Sequence, residues 1–252
     1  MEVHHHPHAG KKKFKEYFLE GLMIFVAVTV GFFAENLRVK LEENKKERQI
    51  IGTLGRDLNK DTARLNYLIN VYIPAYHAWV DSSHLYIDSI SLRGNERRIS
   101  KALFNATYWD TYTPPEIALS NLKTSGSFDL IRNEKVKEAI LNFSATVNDF
   151  NKYSEFILAV EHSVDTSLTT LIGRDVMRKF LDGLTVHHFF LDDSDVPGTI
   201  IFKTYDKSAF QKFVNKLDQA DFEIHDILGF YQNQLAEDSK LLALLNDEYH
   251  LK

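Results

Sequence analysis

Lys11-Lys12-Lys13-Phe14-Lys15-Glu16-Tyr17-Phe18-Leu19-Glu20-Gly21-Leu22-Met23-Ile24-Phe25-Val26-Ala27-Val28-Thr29-Val30-Gly31-Phe32-Phe33-Ala34 places a basic cluster directly before an apolar run that carries no charge from Gly21 onward. A helix from Tyr17 to Leu37 would be about 31 Å long, which matches the hydrocarbon thickness of a bilayer. The run is apolar around its whole circumference, whereas a helix lying in the interface shows a polar face, so a transmembrane helix over 17–37 is expected. Glu20 and Glu35 then fall near the two interfaces. Lys12, Lys13, Lys15 and Tyr17 complete the interface residues, with Tyr17 at an aromatic-belt position. Ala27 and Gly31 form a small-xxx-small pair suited to close helix packing, which makes a homo-oligomer one expectation.

A cleaved signal peptide also pairs a basic start with an apolar core. Cleavage after Ala34 would want a small residue two positions earlier, where Phe32 stands, so a retained signal anchor is the better reading. A buried core helix would not ordinarily follow a lysine cluster at this length. Basic residues flank both ends of the span, Lys11 to Lys15 before it and Arg38, Lys40, Lys45, Lys46 and Arg48 after it, so their count does not set the orientation. By analogy with signal anchors, the expected location is the inner (cytoplasmic) membrane, with the C-terminal domain in the periplasm.

Around this span the chain divides into a His/Lys-rich tail (1–16), the transmembrane helix (17–37), a charged helical stalk (38–49) and a soluble domain (50–252). The stalk is rich in strong helix formers with few apolar positions. Ile51, Leu54, Leu58, Leu65, Leu68 and Tyr72 then recur at spacings of three and four, with a gap at Asp61, as a bundle seam does. Pro74 should kink or break the helix, Trp79, Tyr86 and Ile90 resume a stripe, and Gly94-Asn95 marks a stop. Thr113-Pro114-Pro115-Glu116 reads as a capped start for a helix ending at Gly126. After a turn at 128–132, Asn133 is a candidate N-cap for a long helix whose seam runs Val136, Ile140, Phe143, Val147, Phe150, Ile157, Val164, Leu168 and Leu171. Residues 185–205, rich in Thr, Val, Ile, Phe and Tyr around an acidic Asp192–Gly198 centre, suggest a small β-hairpin. A last long helix is expected over about 207–247, carrying Phe210, Phe213, Leu217, Ile224, Leu228, Tyr231 and Leu235. The fold class is therefore mainly all-α, an antiparallel helical bundle behind a membrane helix and stalk.

Composition narrows the function classes. The 252 residues are 44% hydrophobic with a net charge of -5, enough for a core and unlike the basic surface of a nucleic-acid binder, so no nucleic-acid partner is expected. With no cysteine there is no disulfide, thiolate nucleophile or Cys-based zinc site. Five prolines and 11 glycines favour long helices over a many-turned sheet.

Three clusters have the residue types of a metal site. His4, His5, His6 and His8 suit Zn, Ni or Cu, although a polar tail accounts for them equally. His77, Asp81, His84 and Asp88, spaced four, three and four apart, share one helical face and can present ligands; a solvated face opposite the Trp79 stripe is the simpler explanation. His187, His188, Asp192, Asp193 and Asp195 surround the expected hairpin tip but lack the ordered ligand positions and closing Glu of a calcium loop. No Glu-x-x-His pair, dinucleotide fingerprint, Walker loop or nucleophile elbow occurs. No cofactor and no catalytic residue is expected.

Residues 12–36 and the later Leu122-Lys-Thr-Ser-Gly-Ser-Phe-Asp-Leu-Ile-Arg-Asn133, together with the His-rich start, resemble an uncharacterised single-span membrane protein family, a domain of unknown function widespread in Bacteroidota. The resemblance implies a membrane location and carries no activity across. The expected role is a non-catalytic accessory or scaffold that binds a protein partner at the membrane. A tethered sensor, holding a small ligand between its helices with Tyr76, Trp79, Tyr108 and Trp109 as lining, is the alternative. An enzyme would need His162, His187 or His225 beside buried carboxylates.

Overall fold

The computed structural model describes residues 14–110, 112–114, 122, 126–183 and 190–251, and it is all-α. The first helix, α1, covers Phe14–Tyr67. The chain divides into two compact units, Met1–Gln49 and Ile50–Lys252.

In the first unit α1 is helical from Phe14 onward and unbroken through residues 38–49. Its apolar window has a mean hydropathy of 2.0 and none of it is buried within the protein, so this helix is long and apolar enough to span a membrane. Arg38 holds the charged part together locally, pairing with Glu35 and Glu42 at 2.6 Å each, three residues back and four ahead on the same face.

In the second unit α1 ends at a π turn, Leu68–Tyr72, and the helix resumes as α2, Ile73–Ser89. Pro74 explains the turn: it has no N–H to donate and its ring crowds the carbonyl four residues back. The widened turn absorbs this, with the Ile73 N–H reaching back to the Leu68 carbonyl. Then come α3, Glu96–Thr107, a 3₁₀ turn at Ser127–Leu130, and α4, Glu134–Leu171. Asn133 caps α4 as its type and position suggest, accepting from the N–H groups of Lys135 and Val136. A short α5, Arg174–Gly183, precedes the last helix, α6, Lys207–Tyr249, capped by Asp206. The helix expected from Thr113 to Gly126 lies largely outside the described residues.

Two apolar cores fill this unit. The smaller joins Ile51, Leu54 and Leu58 of α1 to Val136, Ile140, Phe143 and Val147 of α4 and to Leu241 and Leu245 of α6. The larger begins at Leu65 and gathers the π turn, α2, α3, the C-terminal part of α4, α5 and the N-terminal part of α6. Chain direction follows from which core each helix meets first. α1 and α4 run from the small core to the large one, and α6 runs the opposite way, so α6 is the antiparallel partner of both. Every seam residue expected on α4 is buried.

Two expectations need correction. The buried line of α2 is Ile73, Tyr76, Val80, Ser83 and Ile87, while Trp79, Tyr86 and Ile90 pack beside it half-buried. The cause is that α2 is covered by α3 on one flank and α6 on the other, so its core face lies between the two faces the sequence pattern distinguishes. The β-hairpin is absent among the described residues; 185–189 lie outside them. Within 190–205 the only bridge joins Phe202 to Ile172, and the Lys203 N–H donates to the Leu171 carbonyl at 2.8 Å. The backbone here bonds to helices rather than to itself. Asn105 of α3 takes both polar groups of Leu191, and Leu191, Val196, Ile200 and Phe202 are all buried, so this segment is fastened to α3 and the end of α4 rather than to a second strand of its own.

Candidate functional site

α2 and α3 leave a groove between them. Trp79 and Tyr86 stand two turns apart on α2, about 10 Å along the helix, and α3 sends a cation over each ring. Lys101 Nζ lies 5.4 Å from the Trp79 ring centre and the Arg98 guanidinium 4.3 Å from that of Tyr86. Both are cation–π contacts. The far wall is the 193–196 turn, and Arg97 fastens it by donating to the Asp193 and Val196 carbonyls. The open groove so bounded has a volume of about 590 Å³. Its one carboxylate, Asp193, bonds Lys101 at 2.7 Å, which holds that carboxyl below its usual range, with Arg97 adding a smaller pull in the same direction. Among the described residues no carboxylate pairs with Arg98.

A second constellation lies between the two cores. Asp61 and Asp238, both buried, approach within hydrogen-bond reach. The Tyr112 hydroxyl donates to Asp61 at 2.5 Å and the Gln234 amide to Asp238 at 2.7 Å. Burial raises both carboxyls, and on Asp238 the neighbouring Asp61 raises it further. One proton shared across the pair is the physical solution, because two charged carboxylates in contact inside a protein repel each other without solvent to screen them. It also gives the otherwise unpartnered Asp238 Oδ2 a place in a hydrogen bond. One turn along α1, Arg64 pairs with Asp110, whose carboxyl is nonetheless raised because burial outweighs the guanidinium. Tyr72 ties the same strip down, donating to the Tyr108 carbonyl and accepting from the Asp110 N–H, both at 2.7 Å.

Residues singled out by sequence fall as follows. His77 and His84 each bond an aspartate of α6, Asp221 at 2.6 Å and Asp218 at 2.5 Å. Their face is therefore an inter-helical contact rather than an open one. Among the described residues no group of three potential ligands comes together. Asp81 and Asp88 stay on α2, and Asp192, Asp193 and Asp195 form a turn closed by the Asp192 N–H on Asp195. His4, His5, His6, His8, Lys12, Lys13, His187 and His188 lie outside the described residues. Lys15, Tyr17, Glu20, Glu35, Ala27 and Gly31 are all on the exposed surface of α1. Of the four aromatics, Trp79 lines the groove, Tyr76 is wholly buried against Trp109, Trp109 lines a small pocket of about 20 Å³ with Asp110 and Tyr231, and Tyr108 stacks half-buried on Phe104.

The groove was invisible to sequence reasoning because Arg97, Arg98 and Lys101 read as an ordinary charged surface until α3 is laid against α2. Asp61 did leave a signal, the gap in the α1 seam. Its partner Asp238 left a weaker one, a polar residue in register between the buried Tyr231 and Leu241. No family model matches the chain, and no curated protein or solved structure matches it either.

Proposed function

We propose that this chain is a membrane-anchored accessory protein whose bundle holds a protein partner in the α2–α3 groove. In this reading the apolar helix is retained in the inner membrane, the bundle faces the periplasm, and the chain belongs with the single-span Bacteroidota proteins that residues 12–36 resemble. The observation that carries the binding role is the groove itself: a concave site on helices, with two aromatic rings capped by cations and one of those cations, Arg98, without a carboxylate partner among the described residues. Rigid aromatic and arginine side chains are the usual energetic centre of protein interfaces.

A photocrosslinking amino acid in place of Tyr86, in the full chain in native membranes, tests this. The expected result is a discrete adduct that disappears with Arg98→Glu and is not obtained from the same reagent at Leu141, an exposed position on α4. Equal labelling from both positions, or none from Tyr86, contradicts the role.

The ligand-sensing alternative has one observation in its favour, a cavity of about 140 Å³ between α4 and α6 lined by Phe150, Ile157, Leu158, Ile227 and Tyr231. That volume suits a benzene-sized molecule. A melting temperature raised by small aromatics in the wild type and not in Ser154→Phe, which fills the space, would support it; no shift would dismiss it.

A further inference from the structure

The groove's internal bonding indicates the chemistry of what it binds, if the partner-binding role just proposed is right. Its lining holds three cations, Arg97, Arg98 and Lys101, against the single carboxylate of Asp193, on a chain whose net charge is -5. The Asp193 side chain is 90% exposed and reaches in from the rim, whereas Lys101 is 16% exposed and fixed over Trp79. Asp193 thus stands where an incoming carboxylate would stand. Among the described residues Arg97 grips backbone carbonyls of the 193–196 turn and no side chain, so the wall stays in place when the Asp193 side chain leaves Lys101.

We infer that the groove takes an acidic stretch of a partner protein, one carboxylate replacing Asp193 on Lys101 and a second pairing with Arg98, with apolar side chains against Trp79 and Tyr86. Lys101 and Arg98 are three residues apart on α3, hence about 5–6 Å apart at their Cβ atoms, a spacing that neighbouring residues of an extended peptide can meet. The volume of about 590 Å³ exceeds what one small anion fills. A bilayer surface bearing anionic headgroups is excluded from Lys101 by the 193–196 wall, which makes the site concave.

The full chain in phosphatidylcholine nanodiscs, titrated into a fluorescein-labelled peptide of alternating Asp and Leu, provides the test by anisotropy. Binding should occur, weaken as salt rises, fall about tenfold in Arg98→Glu, and tighten several-fold in Asp193→Asn, which removes the internal competitor. Both positions are exposed, and circular dichroism melts confirm that each variant folds. Equal binding of the matched Asn–Leu peptide, no loss in Arg98→Glu, no gain in Asp193→Asn, or binding of phosphatidylglycerol vesicles in place of the peptide would each overturn the inference. If the peptide fails while the Tyr86 adduct persists, the ligand chemistry is wrong and the binding role stands; if both fail, the role goes too.

Discussion

The two parts of α1 put similar side chains to opposite uses. From Leu22 to Phe33 the large apolar residues face outward on every side of the helix, Phe32 and Phe33 being 74% and 78% exposed. From Ile51 to Leu68 they occupy one stripe, and Ile51, Leu54, Leu58, Leu65 and Leu68 are 0% exposed. Helix propensity does not separate these segments, since both are helical. The distribution of apolar residues around the axis does: the second part is buried by the rest of the bundle, while the first is long and apolar enough to span a membrane, and lipid is the solvent the proposed reading assigns to it.

The contrast can be broken most sharply by removing the same ring from each environment. Phe143→Ala empties the small core, in which Phe143 is 1% exposed, and should cost about 3–5 kcal/mol, read from the urea midpoint of the detergent-solubilised chain. Phe32→Ala should leave that midpoint unchanged. The converse experiment places a charge in each: Ile24→Asp should oppose insertion by about 3 kcal/mol and lower the fraction retained after alkaline extraction of membranes, while the bundle's circular dichroism melt is unaffected. If Ile24→Asp also unfolds the bundle, the two parts of α1 do not answer to separate solvents.

Asp61 interrupts the buried stripe and so sharpens the comparison from inside the second segment. Its pair with Asp238 retains a proton that the unfolded chain gives up near the ordinary aspartate value of about 3.9. The folded value being raised, the favourable contribution is complete below that value and is lost as pH rises toward the folded one. Asp110 is raised in the same direction and adds to the slope, with Tyr112, Arg64 and Glu237 as the other titratable neighbours. Asp238→Asn should flatten the dependence of the urea midpoint on pH above pH 4, and a slope equal to the wild type's would refute the shared proton. The smallest effect expected is at the start of α4, where Asn133→Ala removes a cap worth about 1 kcal/mol to the bundle and nothing to membrane retention.

Much of this was legible from periodicity alone. The α4 seam, the Asn133 cap and the Pro74 defect are each specified by residues close together in the chain, and each stands where its local pattern places it; the α6 seam holds at Phe210, Phe213, Leu217, Ile224 and Tyr231, while Ile227 and Gln234 take the buried places expected of Leu228 and Leu235, which are half-buried. The misses share a different cause. α3 is a short helix buried on most of its surface, so Phe104, Asn105 and Thr107 hide the stripe made by Ile99, Leu103 and Ala106. The strand-like residues 190–205 have their backbone groups taken by Asn105, Arg97 and Leu171, none of which is near them in sequence. His77 and His84 looked solvated because only the folded chain brings Asp221 and Asp218 across from α6. The groove belongs with these cases: its rings come from one helix and its cations from another.

The central proposal is that one helix serves two solvents, with its apolar part in the inner membrane and the bundle on the periplasmic side. Protease added to intact spheroplasts tests it directly. The account predicts that the bundle is digested while a fragment containing residues 17–37 stays with the membrane; release of the intact chain by alkaline washing, or protection of the bundle until the membrane is opened, would contradict it.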